Sequence, residues 1–183
     1  VSVGEADHVR SALAACGELA LWRIAMRPGR PLAFGMLRAT PADAASSSGQ
    51  VPFFGLPGNP VATMVTFLQF VLPALRLLSG QQRLAKAEAS ASATTLAQWQ
   101  APRLQLIAGE TLRSRAERVD YHRGQVVLDD QGRQVVMTTG RQGSGILTSM
   151  LLAECLIEIP AGCATLHAGE PVMVQWLGSR GIV

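Results

Sequence analysis

The stretch FFGLPGNPVATM, residues 53–64, constrains the fold more than any other in this chain. A short apolar run ends in a turn built from Gly55, Pro57, Gly58, Asn59 and Pro60, and an uncharged apolar run over 61–75 follows. Asn59 is a good helix N-cap. Pro60 falls at the first helical position, where its missing N–H costs nothing. The spacing therefore predicts a strand ending at Leu56, a tight turn, and a long helix over 60–78 closed by Gly80. Gly55 and Gly58 let the backbone turn sharply and approach a ligand closely. A strand, a glycine turn and a helix N-terminus together make an anion site. From the spacing alone a well-capped helix entry that binds nothing is the favoured reading, since glycine and proline at a helix start are common. The turn carries no Walker lysine, so it is not a P-loop.

The apolar run requires a membrane test. It is shorter than the roughly 18 apolar residues of a spanning helix. It contains Gln69 and Pro73 and ends at Arg76. Thr63, Thr66, Gln69, Pro73 and Arg76 recur at steps of three or four, a narrow polar stripe on one helical face. The expectation is a helix buried on most sides in a soluble α/β domain, with no membrane partner.

Upstream, EADHVRSALAAC (5–16) has helical periodicity through Val9, Ala12, Leu13 and Cys16, with Gly17 placed to end the helix in a left-handed conformation. ELALWRIAM (18–26) reads as a strand, RPGRP (27–31) as a forced turn, LAFGML (32–37) as a second strand and 39–50 as a polar loop. Residues 81–102, rich in Ala, Ser, Thr and Gln, read as a linker or insertion. From 103 the pattern is β: RLQLI, ETLRSRAE, a Val-rich hairpin of DYHRGQVVL and RQVVMTTG around DDQG, then ECLIEIP and PVMVQWL. The expected architecture is an α/β portion over 1–80 and an all-β portion over 103–183.

Charge and cysteines narrow the function classes. The net charge is +3, carried almost wholly by arginine, since Lys86 is the one lysine. That excess is small and scattered, which argues against nucleic acid. Cys16, Cys155 and Cys163 stand at no metal-ligand spacing, and their odd number fits a reducing compartment. The opening VSVGEADHVR has no apolar signal region and no initiator methionine, and reads as the interior of a longer chain.

Several residues suit oxyanion chemistry, each with a plain rival. Strand alternation would set Arg23 and Arg27 on one face at a strand end, able to grip a phosphate, or leave them as solvated charge. Glu5 and Asp7 suit a metal or acid/base carboxylate, or simply a dipole-favoured first helical turn. Arg123 in YHRG and Ser144 in GRQGSG suit a charge and a hydroxyl for a small oxyanion, or ordinary turn features.

The ordered set is more specific than its members. VSVGEAD, RPGRPLAFG, GLPGNPVATMVTF, YHRG and TTGRQGSG, in this order, resemble the molybdopterin molybdenumtransferases, the bacterial MoeA type and the E domain of animal gephyrin. The resemblance implies the second half of an α/β molybdopterin-binding-like domain followed by a small β-barrel-like domain. It implies insertion of molybdenum from molybdate into adenylylated molybdopterin: the dithiolene takes the metal, AMP leaves, and Mg2+ or a related divalent ion assists. It also implies a cytoplasmic homodimer, with a molybdopterin adenylyltransferase and molybdoenzymes as partners.

By motif, Asp7 matches the family's acidic residue and is the expected metal ligand. Arg23 and Arg27 match two catalytic basic positions, commonly lysine. Arg30, Pro57, Gly58, Asn59 and Pro60 make the expected substrate-binding set, and Arg123 and Ser144 the molybdate-binding pair. The 183 residues alone are expected to be inactive in the insertion reaction. The rivals are a molybdopterin adenylyltransferase, which has no trailing β domain, and a peptide-binding scaffold of gephyrin type. A general phosphate-binding α/β protein would explain GLPGNP but not the ordered set.

Overall fold

The computed structural model describes residues 8–38, 49–80, 99–143 and 145–177. Helix α1 (Val9–Cys16) buries Leu13 and runs directly into strand β1 (Gly17–Arg23). Gly17 does not adopt the left-handed conformation expected of it. Its φ of −172° is extended backbone, and its N–H returns to the Leu13 carbonyl. Glycine is needed there for close approach, because a Cβ would stand 2.0 Å from the Met36 carbonyl oxygen on the paired strand.

The strand expected over 18–26 is interrupted. β1 ends at Arg23, and β2 (Met26–Arg27) leaves for another sheet. Between β1 and β3 (Pro31–Arg38), Gly29 takes a φ of 115° at the centre of RPGRP, where a side chain would be strained. β1, β3 and β4 (Gln50–Gly55) form an antiparallel sheet in the order β1-β3-β4.

The long helix runs over Pro60–Leu78 as α2 (Pro60–Thr66), a π-helical turn (Phe67–Val71) and α3 (Leu72–Leu78). The Leu72 N–H reaches the Phe67 carbonyl, five residues back. Pro73 explains the wide turn, since its ring would crowd the carbonyl four residues earlier in a regular helix. By length and composition the helix could cross a membrane. Here one face packs on other elements: Val61, Val65 and Leu68 share a buried cluster with Met26, Tyr121, Met150 and Leu156. The expectation of burial on most sides is corrected, because Leu75, Leu77 and Leu78 are each at least half exposed. The polar stripe, by contrast, faces inward. Thr66 and Gln69 are buried, Gln69 Nε2 donates to Gln175 Oε1, and Arg76 Nη1 donates to the Trp99 carbonyl at 3.1 Å.

The β portion is a closed mixed barrel. β5 (Arg103–Ala108), β7 (Val119–Leu128), β8 (Gln134–Thr138), β9 (Cys155–Ile159) and β11 (Pro171–Trp176) run in the order β7-β8-β5-β11-β9, and β7–β9 pairing closes the ring. β5 and β8 pair in parallel, the other barrel neighbours antiparallel. The expected hairpin is present: Val126 faces Val136, and Asp129 Oδ1 accepts the N–H groups of Gln131 and Arg133 in its turn. ETLRSRAE shrinks to β6 (Leu112–Arg113), which pairs with β10 (Thr165–Leu166). A short helix α4 (Thr148–Leu151) precedes β9. Ile157, Ile159, Val136 and Val174, all fully buried, anchor the barrel core.

β7 is the spine of the molecule. Its first two residues pair in parallel with β2, Met26 with Val119 and Arg27 with Asp120. Residues 120–124 then pair with β9, and 124–128 with β8. β2 is thus a piece of the N-terminal portion stitched to the barrel.

Candidate functional site: an arginine-lined cleft at the junction

A cleft of about 710 Å³ lies where the two portions meet. One wall is the helix entry. Asn59 takes an extended conformation, its Oδ1 accepts the Ala62 N–H at 3.3 Å, and its carbonyl accepts the Thr63 N–H at 2.8 Å. The Thr63 hydroxyl donates back to the Pro57 and Asn59 carbonyls, which fixes the turn against its own helix. Gly58 is exposed, and Pro57, Gly58 and Asn59 all line the cleft.

The RPGRP turn brings in two arginines. Arg27 forms a bidentate fork on Asp120, with Nε to Oδ1 at 3.0 Å and Nη2 to Oδ2 at 2.6 Å. Arg30 is exposed and lines the cleft with it. Asp120 is 1% exposed; its Oδ2 also accepts the Ser114 hydroxyl at 3.1 Å and lies 3.4 Å from His122 Nε2. Burial alone would push this carboxyl up. His122 and Arg27 beside it outweigh burial and hold it below the usual carboxylate range.

The opposite wall comes from β7 and the loop after β8. Arg123 is 1% exposed, and its guanidinium donates to Ser149 Oγ at 3.1 Å, the Tyr121 carbonyl at 3.2 Å and the Gly143 carbonyl at 3.4 Å. None of these acceptors is charged, and among the described residues Arg123 forms no ion pair. Burial lowers its pKa, opposed by the charge of Asp120. Gln142 staples the loop to the strand: Oε1 accepts the Arg123 N–H at 2.7 Å, and Nε2 donates to the Arg123 carbonyl at 3.2 Å and the Gly140 carbonyl at 2.9 Å. Arg118 also lines the cleft, with Glu117 at 3.8 Å from it. The charged lining is thus four guanidinium groups against one carboxylate, and that carboxylate is already spent on Arg27.

Of the site residues read from sequence, Arg27, Arg30, Pro57, Gly58, Asn59 and Arg123 meet in this cleft. Pro60 sits exposed at the first turn of the helix beside it. Arg23 is separated from Arg27: it ends β1, is exposed, faces Pro31 in the register and does not line the cleft. The shared strand face expected for the pair fails because β2 belongs to a different sheet. Asp7 and Ser144 lie outside the described residues. Sequence reasoning did not single out Asp120, Arg118 or Gln142. Among the described residues no group of three or more His, Cys, Asp or Glu side chains is arranged to hold a metal.

Comparison with known proteins supplies the lineage. Residues 1–77 match the family described as a probable molybdopterin binding domain, and residues 105–177 match the MoeA C-terminal region (domain IV). The molybdopterin molybdenumtransferase of Haemophilus influenzae is 34% identical over 176 residues, covering 96% of this chain and 37% of that protein. Molybdopterin molybdenumtransferase 1 of Mycobacterium tuberculosis is 32% identical over 96% of this chain and 37% of its own length. Gephyrin of Dictyostelium discoideum is 32% identical over 97% of this chain and 24% of its own. The chain therefore spans little more than a third of the molybdenumtransferases it matches. The solved molybdopterin biosynthesis MoeA protein of Pyrococcus horikosii shares the fold at a TM-score of 0.61 and 24% identity, over 95% of this chain and 36% of that one. The chain thus carries, in this order, a probable molybdopterin binding domain and a MoeA C-terminal region (domain IV), and along nearly its whole length it is similar to molybdopterin molybdenumtransferases.

Proposed function

We propose that this chain supplies the oxyanion-gripping cleft of a molybdopterin molybdenumtransferase, which inserts molybdenum from molybdate into adenylylated molybdopterin with release of AMP. The observation that carries the reading is Arg123: a buried guanidinium on a cleft wall, held by three neutral acceptors and by no carboxylate among the described residues. A buried cation in that state favours an anionic guest. Molybdate is a tetrahedral dianion, and adenylylated pterin carries a pyrophosphate. Both suit arginine forks and exposed turn amides.

In this proposal Arg123 and Arg27 hold molybdate oxygens, while Arg30 and the Pro57–Pro60 turn hold the nucleotide phosphates. Asp7, Arg23 and Ser144 enter by family resemblance. The expected Mg2+ would rest on Asp7. The described cleft residues do not form a magnesium site, since Asp120 is engaged by Arg27 and Ser114. The proposed division into 1–80, a linker over 81–102 and 103–183 is supported by matches over 1–77 and 105–177. A cytoplasmic homodimer of the longer protein belongs to the same proposal and rests on resemblance.

Calorimetric titration of the chain with molybdate, and separately with adenylylated molybdopterin, tests the reading. Binding of either that weakens steeply with added salt is expected. Absence of binding by both at millimolar ligand overturns it.

A further inference from the structure

The acid that sequence reasoning passed over is held on both of its carboxylate oxygens inside the cleft. Asp120 is buried, ionised in the neutral range, and committed on both oxygens. Oδ1 takes Arg27 Nε; Oδ2 takes Arg27 Nη2 and the Ser114 hydroxyl, with His122 Nε2 at 3.4 Å. A carboxylate so occupied offers nothing to an anionic guest and, by charge alone, opposes one. Its geometry serves the arginine instead. A free arginine side chain carries rotamer entropy that any guest must overcome. The fork on Asp120 removes that freedom beforehand and uses two of the five N–H donors, leaving three for a ligand. The backbone makes the same choice, since Arg27 and Asp120 are paired residues of β2 and β7.

We infer that Asp120 is a positioning residue of the cleft: it presets the Arg27 guanidinium for the guest and thereby couples the barrel to the RPGRP turn. This inference rests on the oxyanion reading for its binding consequences, but its structural core is measurable without any ligand. It also makes a prediction of unusual sign. Asp120→Asn raises the positive charge of the cleft by one. On charge alone, molybdate would bind tighter. On positioning, it binds about tenfold weaker, the equivalent of one charge-assisted hydrogen bond.

The test has two arms on the full chain. In the first, 15N spectra follow the Arg27 Nε–H, assigned by its absence in Arg27→Ala. In the wild type the signal is expected to exchange slowly with water. In Asp120→Asn it is expected to disappear into fast exchange while the barrel amides keep their positions. A wild-type Arg27 Nε–H that already exchanges as fast as a free arginine overturns the inference. In the second arm, molybdate binding is measured for wild type, Asp120→Asn, Arg27→Ala and the double variant. The expected result is a loss of about tenfold on Asp120→Asn in the wild-type background and less than about twofold once Arg27 is absent. Tighter binding in Asp120→Asn, or an equal loss in both backgrounds, overturns it. If the wild type binds no oxyanion, the functional proposal fails and the exchange arm still decides the inference. If Asp120→Asn does not fold, the wild-type exchange rate decides it alone.

Discussion

Replacing Arg123 by Met separates two roles that a buried arginine can have. As a structural group, its loss should be modest. Of its three acceptors, Ser149 Oγ still donates to the Ile146 carbonyl at 2.6 Å, and the Gly143 carbonyl still accepts the Ile146 N–H at 3.1 Å. Only the Tyr121 carbonyl loses a partner without one of these loop bonds to fall back on, a cost of about 1–3 kcal/mol. Against this stands relief from a buried charge that burial itself disfavours. Methionine fills much of the stem volume. The net destabilisation should therefore be about 1–2 kcal/mol. As a binding group, the same change removes the two N–H donors that the protein leaves uncommitted, each worth about 1.5–3 kcal/mol to a charged acceptor. Molybdate affinity should fall by more than about 100-fold. Urea denaturation and calorimetry on the same preparations measure both quantities. Wild-type affinity in the variant would refute the reading of Arg123 as the anion's seat. A stability loss of about 4 kcal/mol or more would show that the arginine is principally a strut.

Other expectations concern the frame. Gly35→Ala sets a Cβ 2.3 Å from the Glu18 carbonyl oxygen on the paired strand, which no side-chain rotation relieves. It should cost about 2–4 kcal/mol by urea midpoint, while Gly145→Ala, with nothing within 4 Å, should stay within about 0.5 kcal/mol. The depressed Asp120 carboxyl contributes stability that is complete above the ordinary carboxylate value and lost as pH falls through its folded one. The stability gap between wild type and Asp120→Asn should therefore hold from pH 7 to 5 and shrink below about pH 4; a gap that widens with acid contradicts the assignment. Burial, then the charge of Glu154, pushes the Cys155 thiol up to about 12. Iodoacetamide at pH 8 should leave it unmodified in the folded chain, and labelling at the rate of exposed Cys16 would contradict its burial.

What could be read in the sequence was local. The Asn59 cap, the Pro60 start, the Gly29 turn and the Val-rich hairpin are each decided by a few neighbouring residues, and each is present. What could not be read was non-local. Nothing near Arg27 announces that its strand leaves β1 for β7, because its partner is 93 residues away. Asp120 reads as one polar residue at a strand start until that pairing buries it. The helix stripe reads only as a narrow polar face, with nothing nearby to name its partner, which is Gln175, 106 residues on from Gln69. Gly17 misled because a glycine after a helix commonly marks a left-handed cap, while here the constraint was the Met36 carbonyl across the sheet. The candidate site was legible as a set of residue types, and its geometry depended on which strand each type joined.

The site is accordingly a property of the junction and of neither matched region. Arg27 and Arg30 come from the first region, Arg118 and Arg123 from the second, so each alone supplies half of the cationic lining. A two-residue strand has little pairing energy of its own, so something besides its backbone bonds must hold β2 on β7. The Arg27–Asp120 fork is one such restraint, and Met26, 3% exposed, is another. Met26 packs in the cluster that also takes Val61, Val65 and Leu68 from the helix and Tyr121, Met150 and Leu156 from the barrel side. The helix whose entry forms one wall and the strand whose Arg123 forms the other are therefore registered through a single apolar floor. Small shifts in a close-packed floor move its neighbours together, so the spacing between the Pro57–Asn59 turn and Arg123 is set largely beneath the cleft, by side chains such as Val61, Val65 and Leu156 that do not line it.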